Sequence, residues 1–230
     1  MTHRIAIATP HARHDALATA LEQLDGYEVL RIREKDALSA KALEDFGCQW
    51  VFFPHWSWMI PPEIHSSFRA VIFHMTDLPY GRGGSPLQNL VARGHDETKL
   101  TALRCEAGLD TGAVYLKRDL SLSGTAEAIF LRAADQMLPM IREIVEQDLQ
   151  PVPQEGEPVV FKRRTPEQSA IDEAQSIGAV YDYIRMLDAE GYPHAFAETE
   201  RYRIEFTAAE RGAEGAVIAR ARIIMKDDKV

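Results

Sequence analysis

A chain of 230 residues, 46% of them hydrophobic, can bury one core of ordinary size and carry an appendage. A formal net charge of -9, a pI near 5.4 and the lack of a dense Lys/Arg run argue against a nucleic-acid surface. Cys48 and Cys105 lack metal-ligand spacing, no secretory leader opens the chain and no apolar run is long enough to cross a bilayer. The expectation is therefore a cytoplasmic protein with buried thiols, without a metal and away from the membrane.

Residues 3–9 read as a first strand, 11–24 as a helix with Leu17, Leu21 and Leu24 at helical spacing, and 27–32 as a second strand. The first turn, Thr9-Pro10-His11-Ala12-Arg13, holds no glycine, which excludes the dinucleotide fingerprint that a βαβ start would otherwise invite. A helix over 37–46, a strand over 48–53 and a short helix opening at Pro61-Pro62 continue the rhythm, proline being tolerated in a first turn whose N–H groups lack helical partners. The loop Pro54-His55-Trp56-Ser57-Trp58-Met59 sets two indoles at a strand's carboxyl end, either to stack on a flat heterocycle or to plug the sheet. An apolar strand then runs from Arg69 to His74. Ligands gather at the carboxyl ends of parallel strands, so His74 is expected at the rim of a cleft.

After His74, the residues Pro79, Gly81, Gly83, Gly84 and Pro86 forbid regular structure and let backbone approach a ligand. A helix over 86–93 follows, with Ser85 as N-cap and Pro86 at its first position. Strands over 98–107 and 112–117 are joined by Gly108-Leu109-Asp110-Thr111, and a long helix covers 124–148. The Pro-rich stretch 151–158 reads as a linker between a catalytic domain, 1–150, and a small α+β module, 159–230. In that module a helix over 177–187 and strands over 201–206 and 215–225 are expected.

His74 and Asp110 both fall at strand ends, where a carboxylate can hold an imidazole in one tautomer or make it a proton relay; the plain alternative is a core histidine and a turn aspartate. Arg82 either grips an anionic ligand or ties the loop to a backbone carbonyl. The cluster Lys162-Arg163-Arg164 is either solvated or a phosphate contact. His11 and His14 lack a third metal ligand, and no GxSxG, P-loop or Cys/His spacing is present.

Residues 74–86, HMTDLPYGRGGSP, followed by Leu109-Asp110-Thr111-Gly112, resemble the folate-dependent formyltransferase family, whose pattern is HxSLLPxxRGxxP and then DxG. Ile60-Pro61-Pro62-Glu63-Ile64 and residues 164–169 extend the resemblance over most of the chain. It implies an α/β fold with a Rossmann-like, mostly parallel sheet flanked by helices, and transfer of a formyl group from 10-formyltetrahydrofolate to a primary amine. By the same resemblance His74 and Asp110 are catalytic: His74 supports the oxyanion or moves a proton, and Asp110 orients it. One position departs, because the family's asparagine two residues before the histidine is Ile72 here.

Residues 73–90 together with 184–193 look like the sugar N-formyltransferases of pseudaminic-acid-type pathways and the formylation domain of linear gramicidin synthetase. The acceptor implied is a nucleotide-linked amino sugar, such as a UDP-4-amino-4,6-dideoxy sugar, with no nucleic acid as partner and a homodimer as the assembly to test. Another small amine as acceptor, or a silent folate or nucleotide-sugar binder, is the alternative. The resemblance places the folate along Phe73, Arg82, Leu103, Gly108 and Leu109, and the acceptor along Thr76, Tyr80, Gly83, Arg163 and Tyr192, with the indoles of Trp56 and Trp58 at the entrance.

Overall fold

The structure, a computed structural model, describes residues 2–226. It divides into two compact units, each assembled from separate stretches: 1–83, 98–120 and 130–160 in the first, 84–97, 121–129 and 161–230 in the second. The residues expected as a linker, 151–158, thus belong to the first unit, and a helix expected in the catalytic domain, Pro86–Val91, belongs to the second.

The first unit is built on a six-stranded sheet of order β2-β1-β3-β4-β6-β7, comprising β1 (His3–Ala8), β2 (Tyr27–Ile32), β3 (Trp50–Pro54), β4 (Arg69–His74), β6 (Glu97–Arg104) and β7 (Val114–Ser121). The first four are mutually parallel and β6 runs antiparallel to β4. Strand β3 is buried at all five positions, as expected for a strand covered on both faces. One face packs Ala6, Ala8, Val51, Phe53 and Ala70 with Leu43 of helix α2 (Ala40–Phe46) and Ile64 of α3 (Pro62–Ser67). Helix α1 (Asp15–Glu22) buries Leu17, Ala18 and Leu21.

Local chemistry explains the helix ends. The Ser39 hydroxyl accepts the Ala42 N–H at 3.2 Å to open α2, and Gly47 closes it with φ of 70°. The long helix α5 (Ala126–Glu146) buries Ala133, Met137, Met140, Ile141 and Ile144 along one stripe.

Two local expectations are corrected. Tyr80–Gly83 forms a strand, β5, which pairs with β8 (Val159–Phe161) through the Val159 N–H to the Pro79 carbonyl, because a chain segment distant in sequence offers it an edge. Ser85 does not cap α4 (Pro86–Val91): its φ is 51° and its hydroxyl accepts the Arg164 N–H instead.

The second unit holds an antiparallel sheet of order β11-β10-β9, comprising β9 (Ala195–Glu198), β10 (Tyr202–Arg211) and β11 (Val217–Met225), together with helix α6 (Ile177–Arg185). The expected hairpin is present, with an added strand β9 and a register shift between Thr207 and Glu210. The Arg185 side chain is buried and satisfied by Asp182 at 2.7 Å and by the Gly124 carbonyl at 3.1 Å.

Candidate active site

Strand β4 carries His74 to the carboxyl end of the sheet, where it pairs in register with Thr101 of β6. The chain then turns through a cis Leu78–Pro79 bond and returns as β5. That return sets the Gly81 carbonyl 2.8 Å from His74 Nε2, which fixes Nε2 as the protonated nitrogen of the neutral ring and leaves Nδ1 as an acceptor. Asp110 faces Nδ1, with Oδ2 at 3.6 Å, and both side chains are less than a tenth exposed. The same Oδ2 accepts the Gly83 N–H at 2.9 Å. A buried imidazole whose one nitrogen is spent on a carbonyl and whose other nitrogen looks at a carboxylate can take up a proton and keep it as an ion pair.

The loop bearing Asp110 is strained into place. Asp110 itself has φ of 53°, and Gly112 sits so close to β6 that a Cβ there would lie 1.8 Å from the Arg104 carbonyl oxygen. Arg82 meets a side-chain amide and not the backbone carbonyl expected of a loop tie: its Nε and Nη2 donate to Gln154 Oε1 at 3.1 and 2.8 Å. Lys117 bridges Asp77 at 2.6 Å and the Leu78 carbonyl at 2.5 Å, tying down the turn after His74.

Of the other positions singled out by sequence, Phe73 and Leu103 are core side chains, Phe73 stacking on Phe52 with centroids 6.3 Å apart. Thr76 is fully buried, its hydroxyl reaching Gly81 O at 3.3 Å and its carbonyl receiving Thr101 Oγ1 at 2.6 Å. Tyr80 and Gly83 lie on β5. Gly108, with φ of 107°, and Leu109, 58% exposed, stand open to solvent on the Asp110 loop. In the second unit, Arg163 packs against Gly84 so closely that a Cβ on Gly84 would lie 2.6 Å from it. Tyr192 lines a cavity of about 500 Å³ whose other walls include Glu127, Asp188 and Glu190, an acidic lining opposite in sign to a diphosphate site.

Trp56 meets Phe53 and Trp58 edge-on at 5.8 and 4.8 Å, so the first indole plugs the sheet and the second, 38% exposed, lies beyond it. Ile72 packs with the apolar cluster on one face of the sheet, which accounts for its tolerance there but supplies no hydrogen bond.

Sequence spacing missed two features. Gln154 lies in the stretch read as a linker, with nothing local to mark it. His55 joins His11 and His14, with ring centroids 4.6 and 6.4 Å away, and meets Phe130 at a 46° tilt with centroids 4.7 Å apart while Arg13 covers that ring at 4.9 Å. Burial, with neighbouring His11 and Arg13, lowers the His14 pKa to about 4, and burial also pushes His55 well below the usual histidine range. Among the described residues, no group of three His, Cys, Asp or Glu side chains is placed to hold a metal ion. Burial raises both thiols, Cys48 and Cys105, to about 11, so neither is a ready nucleophile. No helix among the described residues is long and apolar enough to cross a membrane.

Residues 166–224 match the family described as methionyl-tRNA formyltransferase, C-terminal domain. The chain is 30% identical over 226 residues to the methionyl-tRNA formyltransferase of Sinorhizobium fredii, covering 90% of this chain and 71% of that one. Among solved structures, a methionyl-tRNA formyltransferase from Clostridium thermocellum superposes with a TM-score of 0.94 at 45% identity, over 97% of this chain and all of that one. The formyltransferase PseJ from Anoxybacillus kamchatkensis, solved with a UDP-linked formamido sugar and tetrahydrofolate, shares the fold at 20% identity, with a TM-score of 0.57 over 72% of this chain and 88% of that one.

These similarities overturn two expectations, the nucleotide-linked amino sugar as acceptor and the exclusion of a nucleic-acid partner. Residues 73–90 carry the family resemblance and do not by themselves name the acceptor. Net charge is a sum over the whole chain, and many of its acids are spent in ion pairs such as Glu205 with Arg203 and Arg222. The small C-terminal module, 159–230, contains the residues, 166–224, that match the C-terminal domain of that family.

Proposed function

The chain belongs to the methionyl-tRNA formyltransferase family, and we propose that it transfers the formyl group of 10-formyltetrahydrofolate to the amine of methionyl-tRNA in the cytoplasm. The observation that carries the reading is the His74–Asp110 pair, a buried imidazole and carboxylate 3.6 Å apart at the carboxyl rim of the sheet. The open run Ala107, Gly108 and Leu109 beside Asp110 fits a flat heterocycle, since it offers exposed backbone and an exposed apolar side chain. When bound, the folate supplies the formyl carbon that the amine attacks.

Around that centre, the chain's own groups have distinct tasks. His74 Nδ1, the acceptor nitrogen, takes the proton that the attacking amine must lose, and the Asp110 carboxylate holds the resulting imidazolium. The cationic ring then stabilises negative charge developing on the formyl oxygen, a task that Ile72 cannot share. Gly83 N–H keeps Asp110 Oδ2 aimed at the ring. As the bond between the formyl carbon and the folate nitrogen breaks, the His74 imidazolium returns its proton to that nitrogen, so the products are the formylated amine and tetrahydrofolate and no covalent enzyme intermediate is required.

The test is direct: the purified protein, 10-formyltetrahydrofolate and methionyl-tRNA should yield formylmethionyl-tRNA and tetrahydrofolate in equal amounts. Lack of formylmethionine with fully charged initiator tRNA sinks the acceptor assignment, and folate binding without release of tetrahydrofolate sinks the activity itself.

A further inference from the structure

We propose that Gln154 is a positioning residue for Asp110, its carboxamide clamping the strained Asp110 loop to Arg82 of β5. Every hydrogen-bonding position on that amide is used within the first unit. Its Oε1 receives Arg82 Nε and Nη2, at 3.1 and 2.8 Å, and its Nε2 donates to the carbonyls of Asp110 and Gly112, both at 2.8 Å. An amide is the one side-chain group that can do both, presenting an acceptor to a guanidinium and two N–H donors to carbonyls at the same time.

The consequence follows from what those partners hold. Gly81, Arg82 and Gly83 are consecutive: the first receives His74 Nε2, the second is gripped by Gln154, and the third donates to Asp110 Oδ2. Asp110 has a left-handed backbone, a conformation unfavourable for a non-glycine residue that persists only where surrounding contacts over-determine it. The bond from Gln154 Nε2 to the Asp110 carbonyl is such a contact, and the Gly83 N–H to the carboxylate is its counterpart at the other end of the residue. Gln154 therefore closes a ring of hydrogen bonds, from Asp110 through Gln154 and Arg82 to Gly83 and back to Asp110. That ring sets where the carboxylate stands relative to His74 Nδ1. Arg82 is accordingly a structural tie, and its guanidinium is kept off the carboxylate by being spent on the amide.

The inference rests on the reading of His74 and Asp110 as the working pair, and its test has a readout besides turnover. In the full chain, the His74 ring is followed by NMR across pH in wild type, Gln154→Ala, Gln154→Glu and Asp110→Asn, with Gln150→Ala as an exposed control from the same segment. The charged groups on and around this turn are Asp110, Arg82 and the Asp77–Lys117 pair, of which only Asp110 faces the ring in an ion-pair contact. Displacing the carboxylate changes what the His74 ring faces, so the His74 ring signals in Gln154→Ala should move toward those of Asp110→Asn. Gln154→Glu should move them as well, because it keeps an acceptor for Arg82 but turns acceptor oxygens toward two carbonyls. In turnover, Gln154→Ala should lower kcat roughly 10- to 100-fold with the folate KM little changed, as expected for a misplaced catalytic group.

A His74 titration in Gln154→Ala that coincides with wild type while Asp110→Asn shifts it overturns the proposal, whatever the rates. So does an equal loss in kcat/KM through KM alone, which marks a general loosening. Should Gln154→Ala fold poorly, Gln154→Met, of similar length and without hydrogen-bonding groups, carries the same readout. If wild type is inactive on every acceptor, the function above fails, and the titration still decides the role of Gln154.

Discussion

Two histidine environments stand on the same carboxyl rim of one sheet, and they differ in what burial has done to them. His74 is buried with each ring nitrogen accounted for, one on the Gly81 carbonyl and one facing Asp110. His14, 2% exposed, is buried among His11, His55 and Arg13 with neither ring nitrogen hydrogen-bonded. Burial alone makes an imidazole a poor base and a neutral core residue. Burial with a fixed tautomer and a carboxylate makes it a proton carrier. The difference arises because β5 and the Asp110 loop bring backbone and carboxylate to His74, while at His14 burial and the neighbouring His11 and Arg13 outweigh the Asp15 carboxylate.

The largest expected effect breaks the first environment. His74→Ala or Asp110→Asn should lower the initial rate of formylation by roughly 10²- to 10⁴-fold, as for loss of a general acid–base group, with unfolding midpoints close to wild type. The same change at His14, to Gln, should leave the rate nearly untouched.

The second environment shows in stability against pH. The folded pKa of His14 is lowered from 6.5 to about 4, so the unfolded chain binds this proton first as pH falls. Its contribution is therefore fully present above pH 6.5 and is lost as pH drops toward 4, a loss of about 3 kcal/mol at most. Urea unfolding at pH 7 and pH 4.5 should show the acid-side fall shrinking in His14→Gln, with His55 contributing what remains. An unchanged fall would show that the acid sensitivity lies elsewhere.

Gly112→Ala attacks the framework of the working pair, since the new Cβ would sit 1.8 Å from the Arg104 carbonyl. Overpacking of this kind costs about 1–3 kcal/mol, and the displaced loop should also lower kcat, separating it from a core defect in which only the unfolding midpoint moves. The smallest effect is expected from Lys117→Met. It removes a partly exposed pair with Asp77 that contributes about 0–1 kcal/mol, and a rate near wild type would show that main-chain contacts, more than this pair, hold the turn after His74.

Much of the fold is legible in local sequence pattern. The buried runs of β1, β3 and β4 and the apolar stripe of α5 follow from periodicity and turn chemistry, which act over a few residues, whereas the second helix opens at Ala40 behind the Ser39 cap and not at Ala37. His74 and Asp110 are legible too, the first as the end of an apolar strand and the second in a Gly-bounded connection. β5 is not, because Gly and Pro suppress the strand signal and its pairing partner, β8, lies far along the chain. Ser85 has the composition of a cap but a left-handed backbone that aims its hydroxyl elsewhere. The acceptor escapes a reading of residues 73–90 because no local pattern in them names an amine.

The sequence by itself determined much of the strand and helix framework and the apolar side chain at Ile72, and marked His74 and Asp110 as candidates, since each is written in local pattern or in residue identity. Only the tertiary structure decided that Gln154, 44 residues beyond Asp110, holds its carbonyl, that His55 joins His11 and His14, and that Arg82 serves the loop. Contacts of that kind depend on where strands and loops converge in space, and side chains so far apart along the chain carry no local signal of their meeting.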